Sequence, residues 1–270
     1  MCIRDRVDCV IQGNIRNYGT GEVRFEAPQI TPESTATKPS DVYKPGTTLD
    51  RTLEYGGKSV PIYRDRPLNV FSDVDFIWTD EENENRRRLE YLGGEFRTRY
   101  GIDVSSFQGE IDWDAVADDN IDFAMVRVGF RGTGTGSLNT DKYYEQNIRG
   151  AMRAGLETGV YFFAQAVTVE EAIEEADYVI SLLDGLDING PVAYDWEMHD
   201  STYRVYGTSP EMATACAVAF CERIKDAGYT PMVYGGTYVT YMKYDQGALA
   251  DYLSWYPEYK SEKSEKLCPT

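Results

Sequence analysis

The sequence predicts an α/β fold: an irregular parallel β/α barrel of the TIM-barrel kind, lacking its last strands and preceded by an accessory region. Three observations predict it. From residue 99 onward, short apolar runs alternate with helix-length amphipathic segments, the pattern of parallel β/α units. The helical segments carry readable caps and stops. Polar residues collect at the carboxyl ends of the apolar runs, where sites gather in such folds.

The elements follow in order. RYGIDVS (99–105) reads as a strand and DWDAVADDN (112–120) as a short helix capped by Asp112. DFAMVRVG (122–129) is a near-continuous apolar strand, and the glycine-rich GFRGTGTGS (129–137) after it is expected to be a flexible connection. TDKYYEQNIRGAMRAG (140–155) reads as a helix from a Thr140 cap to Gly155, and GVYFFAQ (159–165) as the next strand. In TVEEAIEEADYVISLLDG (168–185), Thr168 and Glu171 form a capping box, and Ile173, Ala176, Ile180 and Leu183 an apolar stripe. PVAYDWE (191–197) is a strand, and SPEMATACAVAFCERIKDAGY (209–229) a helix with Pro210 at its first position and Gly228 beyond its end. TPMVYGG (230–236) and YLSWYPEY (252–259) bring the candidate strands to six, where a closed barrel has eight. The polar, patternless KSEKSEKLCPT follows, so the expectation is a barrel cut off before its last strands, with residues 261–270 an artefactual polar tail. An open doubly wound sheet is the structural alternative.

Residues 1–98 read as a separate accessory or linker region. PQITPESTATKPSDVYKPGTT (28–48) is Pro-, Ser- and Thr-rich extended chain. VPIYRDRPLNVFSDVDFIW (60–78) offers short strands broken by proline, and TDEENENRRRLEYLGGEF (79–96) a short helix closed by Gly93-Gly94. The opening MCIRDR resembles a translated sequencing adapter, so the first residues are expected not to be native. MCIRDRVDCVIQG also lacks the apolar core of a secretion signal.

The net charge of -18 is uneven: residues 1–98 carry -3 and residues 99–270 carry -15. Such a field repels phosphates and anionic membranes, which sets nucleic acid and membrane-surface partners aside. No apolar run approaches the ~18 residues of a membrane span, and a monomer is expected. The five cysteines, Cys2, Cys9, Cys216, Cys221 and Cys268, form no CxxC pair and no metal spacing. Cys216 and Cys221, five apart, point to different sides of their helix, and the simple reading is small buried residues.

The chemistry centres on GPVAYDWEMHD (190–200). Period-two alternation sends Asp195 and Glu197 to one face, with the only histidine, His199, next in phase. Along a strand such carboxylates lie roughly 6–7 Å apart, and like charges that close are unfavourable unless used. Other strand ends add Asp103, Ser105, Ser106, Gln108, Arg127, Tyr161, Gln165, Tyr234, Trp255 and Tyr256. Aromatic faces beside carboxylates suit carbohydrate, and a carboxyl pair suits glycoside hydrolysis, one partner protonated and the other stabilising positive charge. Each residue also has a plainer reading: Arg127 as partner of a buried carboxylate, Tyr161 and Tyr234 as core, the DxE pair as salt-bridged. No GxSxG elbow supports a serine triad, and GTGTGS lacks the GK[ST] of a P-loop. A metal on Asp195, Glu197 and His199 is geometrically conceivable, but the chain offers no other histidine.

YGIDVSSFQGEIDW, FAMVRVGFRG, GVYFFAQA and PVAYDWE, in that order, followed by AFCERIKDAGYTPMVYGG, resemble the glycoside hydrolase family 25 lysozymes. The resemblance covers residues 99–259, within a catalytic domain read as 99–260, and implies an irregular β/α barrel that cuts the β-1,4 bond after N-acetylmuramic acid in peptidoglycan, without a cofactor or metal. It implies Glu197 as the catalytic acid, which then activates water, and Asp195 as the group that positions the substrate 2-acetamido group during retaining, substrate-assisted attack. Asp103 matches the first-strand aspartate and Tyr161 an active-site tyrosine. Arg127 and Gln108 fit the pattern, and Tyr234 and Trp255 join them as substrate-binding candidates. A wall substrate implies an extracellular or cell-wall location. The family's late aspartate, near a WQY-type strand, has no counterpart here. The alternatives are a non-catalytic glycan-binding module on the same fold, or a metal-dependent polysaccharide hydrolase or deacetylase.

Overall fold

In the computed structural model, the parallel strands of the main sheet lie side by side in the order the chain makes them. Residues 49–55, 57–63, 76–79, 88–92 and 98–257 are described. Near the N-terminus, β1 (Leu49–Tyr55) and β2 (Lys58–Tyr63) form one antiparallel hairpin. A second antiparallel pair joins β3 (Phe76–Thr79) to β4 (Arg88–Tyr91). The expected helix over 79–96 therefore gives way to strand at Arg88–Tyr91, where period-two spacing buries Leu89 and Phe76 packs on Tyr91 at 5.5 Å. Residues 1–48 and 261–270, and the expected Gly93-Gly94 stop, lie outside the described residues.

The main sheet uses β5 (Gly101–Val104), β6 (Phe123–Arg131), β8 (Glu157–Ala164), β9 (Val192–Trp196), β10 (Pro231–Tyr234) and β11 (Leu253–Trp255), all parallel, with a short β7 (Leu138–Thr140) antiparallel to β6. Helices α1 (Trp113–Asp118), α2 (Tyr144–Arg153), α3 (Val169–Leu182), α4 (Pro210–Asp226) and α5 (Thr237–Met242) fill the connections. The strand order β5-β6-β8-β9-β10-β11 never reverses. A doubly wound sheet reverses at its switch point, so the winding is that of a barrel. Among the described residues it is an open half-barrel of six parallel strands, with β5 and β11 at its edges, and not a closed ring of eight.

The two faces differ as winding in one direction requires. One carries Val126, Val160, Phe162, Tyr194 and Trp196, buried under the helices in the large core. The other carries a smaller cluster, Phe123, Met125, Tyr161, Ala193, Met232 and Trp255. Helix α4 is buried along most of its length between sheet and α3, so Cys216 and Cys221 are both buried although they point to different sides.

Local chemistry sets the helix ends. Asp112 caps α1 by accepting from the Ala115 amide, and Thr168 caps α3 by accepting from Glu171 N. The other half of the expected box shifts one residue, because the Glu171 carboxylate takes the Val167 amide instead of that of Thr168. Helix α2 starts at Tyr144, not at a Thr140 cap, because Thr140 belongs to β7 and Asp141 turns the chain, accepting from the Tyr143 amide at 3.0 Å. The buried stripe of α3 runs through Ala172, Glu175, Ala176, Val179 and Leu183, which leaves Ile173 and Ile180 at its margins. The glycine-rich segment is a structured turn: Gly136, at φ +69, and Gly132 close it by backbone hydrogen bonds, and Thr133 accepts from the Arg204 amide.

Beneath the sheet, β8 and the Gly190-Pro191 turn approach closely. A Cβ on Gly190 would lie 2.5 Å from Gly159 N, a backbone atom that cannot swing away. Gly190→Ala is expected to cost about 1–3 kcal/mol, read as a lowered denaturation midpoint. An unchanged midpoint would show that the turn gives way freely.

Candidate active site

The helix-free face gathers one polar residue from most strands at its carboxyl edge. Asp103 lies beside Met125 in register, Arg127 beside Tyr161, Asp195 beside Tyr234, and Tyr234 beside Trp255. In-register neighbours share a face, so these side chains converge above a floor of Phe123, Met125, Ala193 and Met232. Tyr161 and Tyr234 both meet Trp255 edge-to-face, at 5.9 and 5.1 Å. Tyr161 and Trp255 are buried and wall the site, while Tyr234 is partly open.

Asp195 is the last inward residue of β9 and only 6% exposed. The strand ends at Trp196, so Glu197 leaves the ladder. Its carboxyl still acts on that of Asp195, by charge and by a side-chain hydrogen bond. Burial first, then the charge and hydrogen bond of Glu197 and the charge of Asp103, push Asp195 well above the usual carboxylate range, against the pull of Arg127. Asp195 therefore holds a proton more firmly than an isolated carboxyl does. Asp195 Oδ1 is buried without a hydrogen-bond partner among the described residues. Glu197 is the accessible member, with 26% of its side chain exposed, and lies 3.4 Å from His199 Nε2. His199 is open to solvent and stacks edge-on against Tyr203 at 5.3 Å. Burial, then the charges of Asp103 and Asp195, keep the Tyr161 hydroxyl protonated.

Arg127 spans both of its sequence readings. Its Nη2 bonds Asp141 Oδ2 at 2.8 Å and Ser106 Oγ at 3.3 Å, and its guanidinium lies between the rings of Phe107 and Phe130, at 5.0 and 5.3 Å. Burial alone would raise Asp141, but the Ser106 and Tyr143 amides and Arg127 outweigh it and hold the carboxyl below its ordinary range. Gln108 caps its own turn, accepting from the Ser105 amide at 2.7 Å, which fixes the loop that carries Ser106 and Phe107.

Behind the site lies an ion network on the helix side. Arg131 bonds Glu175 Oε1 and Glu174 Oε2, each at 2.7 Å. Glu175 Oε1 also accepts the Gln165 amide at 3.0 Å, and burial pushes the Glu175 carboxyl up to about 7, against the pull of Arg131 and that amide. Arg204 grips Glu171 with both terminal nitrogens, at 2.9 and 2.7 Å. Sequence reasoning passed over Asp141, Glu175 and Arg204. For Glu175 a signal existed: it occupies an i, i+3, i+4, i+7 position among Ala172, Ala176 and Val179, where a carboxylate must find a partner. Among the described residues, no three His, Cys, Asp or Glu side chains are grouped to hold a metal ion.

A carboxyl pair at the strand ends of a β/α half-barrel is the arrangement that acid–base chemistry in barrel enzymes requires. The chain matches glycosyl hydrolases family 25 over residues 102–268, and it belongs to that family. The autolytic lysozyme of Clostridium acetobutylicum is 26% identical over 164 residues, which cover 60% of this chain and 46% of that one. Lysozyme M1 of Streptomyces globisporus is 30% identical over 112 residues, covering 40% and 36%. The chain thus spans less than half the length of these curated relatives. Among solved structures, a family 25 glycosyl hydrolase from Bacillus anthracis is 23% identical, with 56% of this chain and 63% of that chain covered at a TM-score of 0.42.

Two outcomes are expected. Asp141→Asn strands a largely buried arginine and should cost about 3 kcal/mol near neutral pH. Because the Asp141 carboxyl is held low, that contribution is complete above about pH 4 and fades as pH falls through the lowered value; denaturant melts against pH test both. Glu175 has the opposite sign. With its carboxyl raised to about 7, folding favours the protonated form, so wild type should lose stability relative to Glu175→Gln as pH rises from about 4 toward 7. Parallel stability curves would contradict it.

Proposed function

We propose that this chain is a peptidoglycan hydrolase, a muramidase that cuts the β-1,4 bond between N-acetylmuramic acid and N-acetylglucosamine. Residues 99–260 form its catalytic unit and residues 1–98 an accessory region. The observation that carries the reading is the hydrogen-bonded pair of a buried Asp195 and an accessible Glu197 at the end of β9. The pair keeps a proton at the site, and Glu197, facing the open side, delivers it to the leaving glycosidic oxygen.

The spacing bears on the route. Retaining enzymes with a carboxylate nucleophile hold their two carboxyl groups about 5–5.5 Å apart, and inverting ones about 6.5–9.5 Å. Carboxyl groups in hydrogen-bond contact fit neither scheme. They fit substrate assistance, in which the 2-acetamido oxygen attacks the anomeric carbon as the glycosidic bond breaks and Glu197 protonates the departing oxygen. Asp195 holds the acetamido N–H during that attack. Water then opens the cyclic intermediate, losing its proton to Glu197, and configuration is retained. Asp103 and Tyr161 border the reacting sugar, and Arg127, Gln108, Tyr234 and Trp255 shape the groove. The names of the two curated relatives, both lysozymes, support the substrate class, and such a substrate places the enzyme outside the cell or at its wall. No helix among the described residues is long and apolar enough to cross a membrane.

The test is mass spectrometry of purified peptidoglycan after incubation with the chain. New N-acetylmuramic acid reducing ends are expected, unaffected by chelator, and Glu197→Gln should lower their rate of appearance by about 10²–10⁴-fold. Binding without cleavage would instead mark a glycan-binding module. Loss of cleavage with chelator would mark a metal-dependent hydrolase.

A further inference from the structure

Past the last paired residues of β8 and β9, Ala164 and Trp196, the two chains remain tied by side chains instead of ladder bonds. Trp196 Nε1 donates to Ala166 O at 3.1 Å, and Gln165 Nε2 donates to Glu197 O at 2.8 Å. The last residue of β9 thus reaches the backbone two residues beyond β8, and the first residue beyond β8 reaches the backbone one residue beyond β9. The second of these bonds fixes the peptide of the residue on which the proposed chemistry depends.

Gln165 is itself held on every side. It is fully buried. Its amide donates to Glu175 Oε1 at 3.0 Å, and its carbonyl accepts from Arg204 Nη1 at 2.9 Å. Glu175 is anchored by Arg131 and Arg204 by Glu171, so β6, α3 and the loop before α4 all bear on this one residue. A buried amide side chain with both backbone groups clamped by ion pairs has almost no freedom left, and it spends its donor on Glu197.

We propose that Gln165 is a positioning residue for Glu197, and that the Arg131–Glu175 and Arg204–Glu171 pairs serve to hold Gln165 in place. The inference rests on the muramidase reading of Glu197. Gln165 touches no substrate; it acts through the direction in which the Glu197 carboxyl leaves the main chain. Misplacement of a reacting group by about 1 Å costs on the order of 10²-fold in rate, so the bond matters to turnover while contributing little to sugar binding.

Gln165→Met keeps length and removes the donor, and soluble peptidoglycan oligomers allow kcat and KM to be separated. The expected result is a kcat lowered by about ten- to a hundredfold, a KM within about twofold, and a cooperative melt close to wild type. A second readout needs no activity. His199 is the only histidine in the chain, and its ring lies 3.4 Å from the Glu197 carboxylate. Its ring-proton resonances should move in Gln165→Met. Should that variant fail to fold, Gln165→Asn keeps an amide in the buried site but withdraws the donor by one methylene from the Glu197 carbonyl; the same kinetic split is expected. Unchanged kcat, or a raised KM with kcat intact, overturns the proposal. If the wild-type chain cleaves nothing while the His199 resonances still move, the muramidase reading fails and the placement of Glu197 by Gln165 is supported.

Discussion

One extra residue in β6 decides where two arginines go. Against β8, Arg127 pairs with Tyr161 but Gly129 pairs with Phe162, so Val128 is inserted and the side-chain phase reverses. A one-residue shift moves every later side chain to the opposite face. Arg127, before the bulge, faces the site and takes Asp141. Arg131, after it, faces the helices and takes Glu175. Without the insertion, Arg131 would fall on the site face, and Glu175 would be left buried beneath the sheet without its partner. The bulge also turns Gly129 toward the helices, where a Cβ would lie 2.6 Å from Asn139 O, so glycine alone fits there.

The two arginines do different work on two carboxylates of opposite tendency. Asp141 has amides and a guanidinium around it and stays ionised. Glu175 has burial against it and only one oxygen fully engaged, the other lacking a partner among the described residues. A buried ion pair of that kind offers little net stability over an apolar pair, yet loss of one member leaves an uncompensated charge. Its value lies in specificity of geometry: the charges fix where the end of β8 sits, and with it the end of β9. The same reasoning explains the unpaired inner oxygen of Asp195. Its cost is eased because Asp195 is raised toward its protonated form, which reduces the charge that must be buried.

Much of this architecture is legible in the sequence, and for identifiable reasons. Strands such as FAMVRVG and GVYFFAQ are apolar on both faces because helices cover one side and the site floor the other. Asp112, Thr168, Pro210 and Gly228 act within a turn of their own positions, so their effects can be read locally. The convergence of Asp103, Arg127, Tyr161 and Asp195 follows from strand phase. What escaped depends on contacts far along the chain. The bulge is set by how β6 meets β8, and no residue type announces it. β7 is a three-residue strand whose pairing exists only because the glycine turn closes. Glu175 interrupts an apolar stripe, but that its partner is Arg131 required the phase reversal. The near contact of Asp195 and Glu197 required knowing that the strand stops at Trp196.

Strand order has a consequence of another kind, for how the chain finds its shape. Every parallel pairing in the sheet joins strands that are consecutive parallel elements of the sequence, usually with one helix between them. Each closure therefore spans a similar, modest length of chain, and its entropic cost changes little from one step to the next. Such a sheet can grow from β5 toward β11 while the polypeptide is still being synthesised, each new unit settling on an edge already present. The side-chain links of Arg131 with Glu175 and of Arg204 with Gln165 span 44 and 39 residues, about as far as the β9–β10 pairing, whose partners Val192 and Pro231 are also 39 apart. Arg204 follows β9 in the chain, so its link to Gln165 closes only after β9 has been made, and the clamp is completed after the two strand ends that it braces.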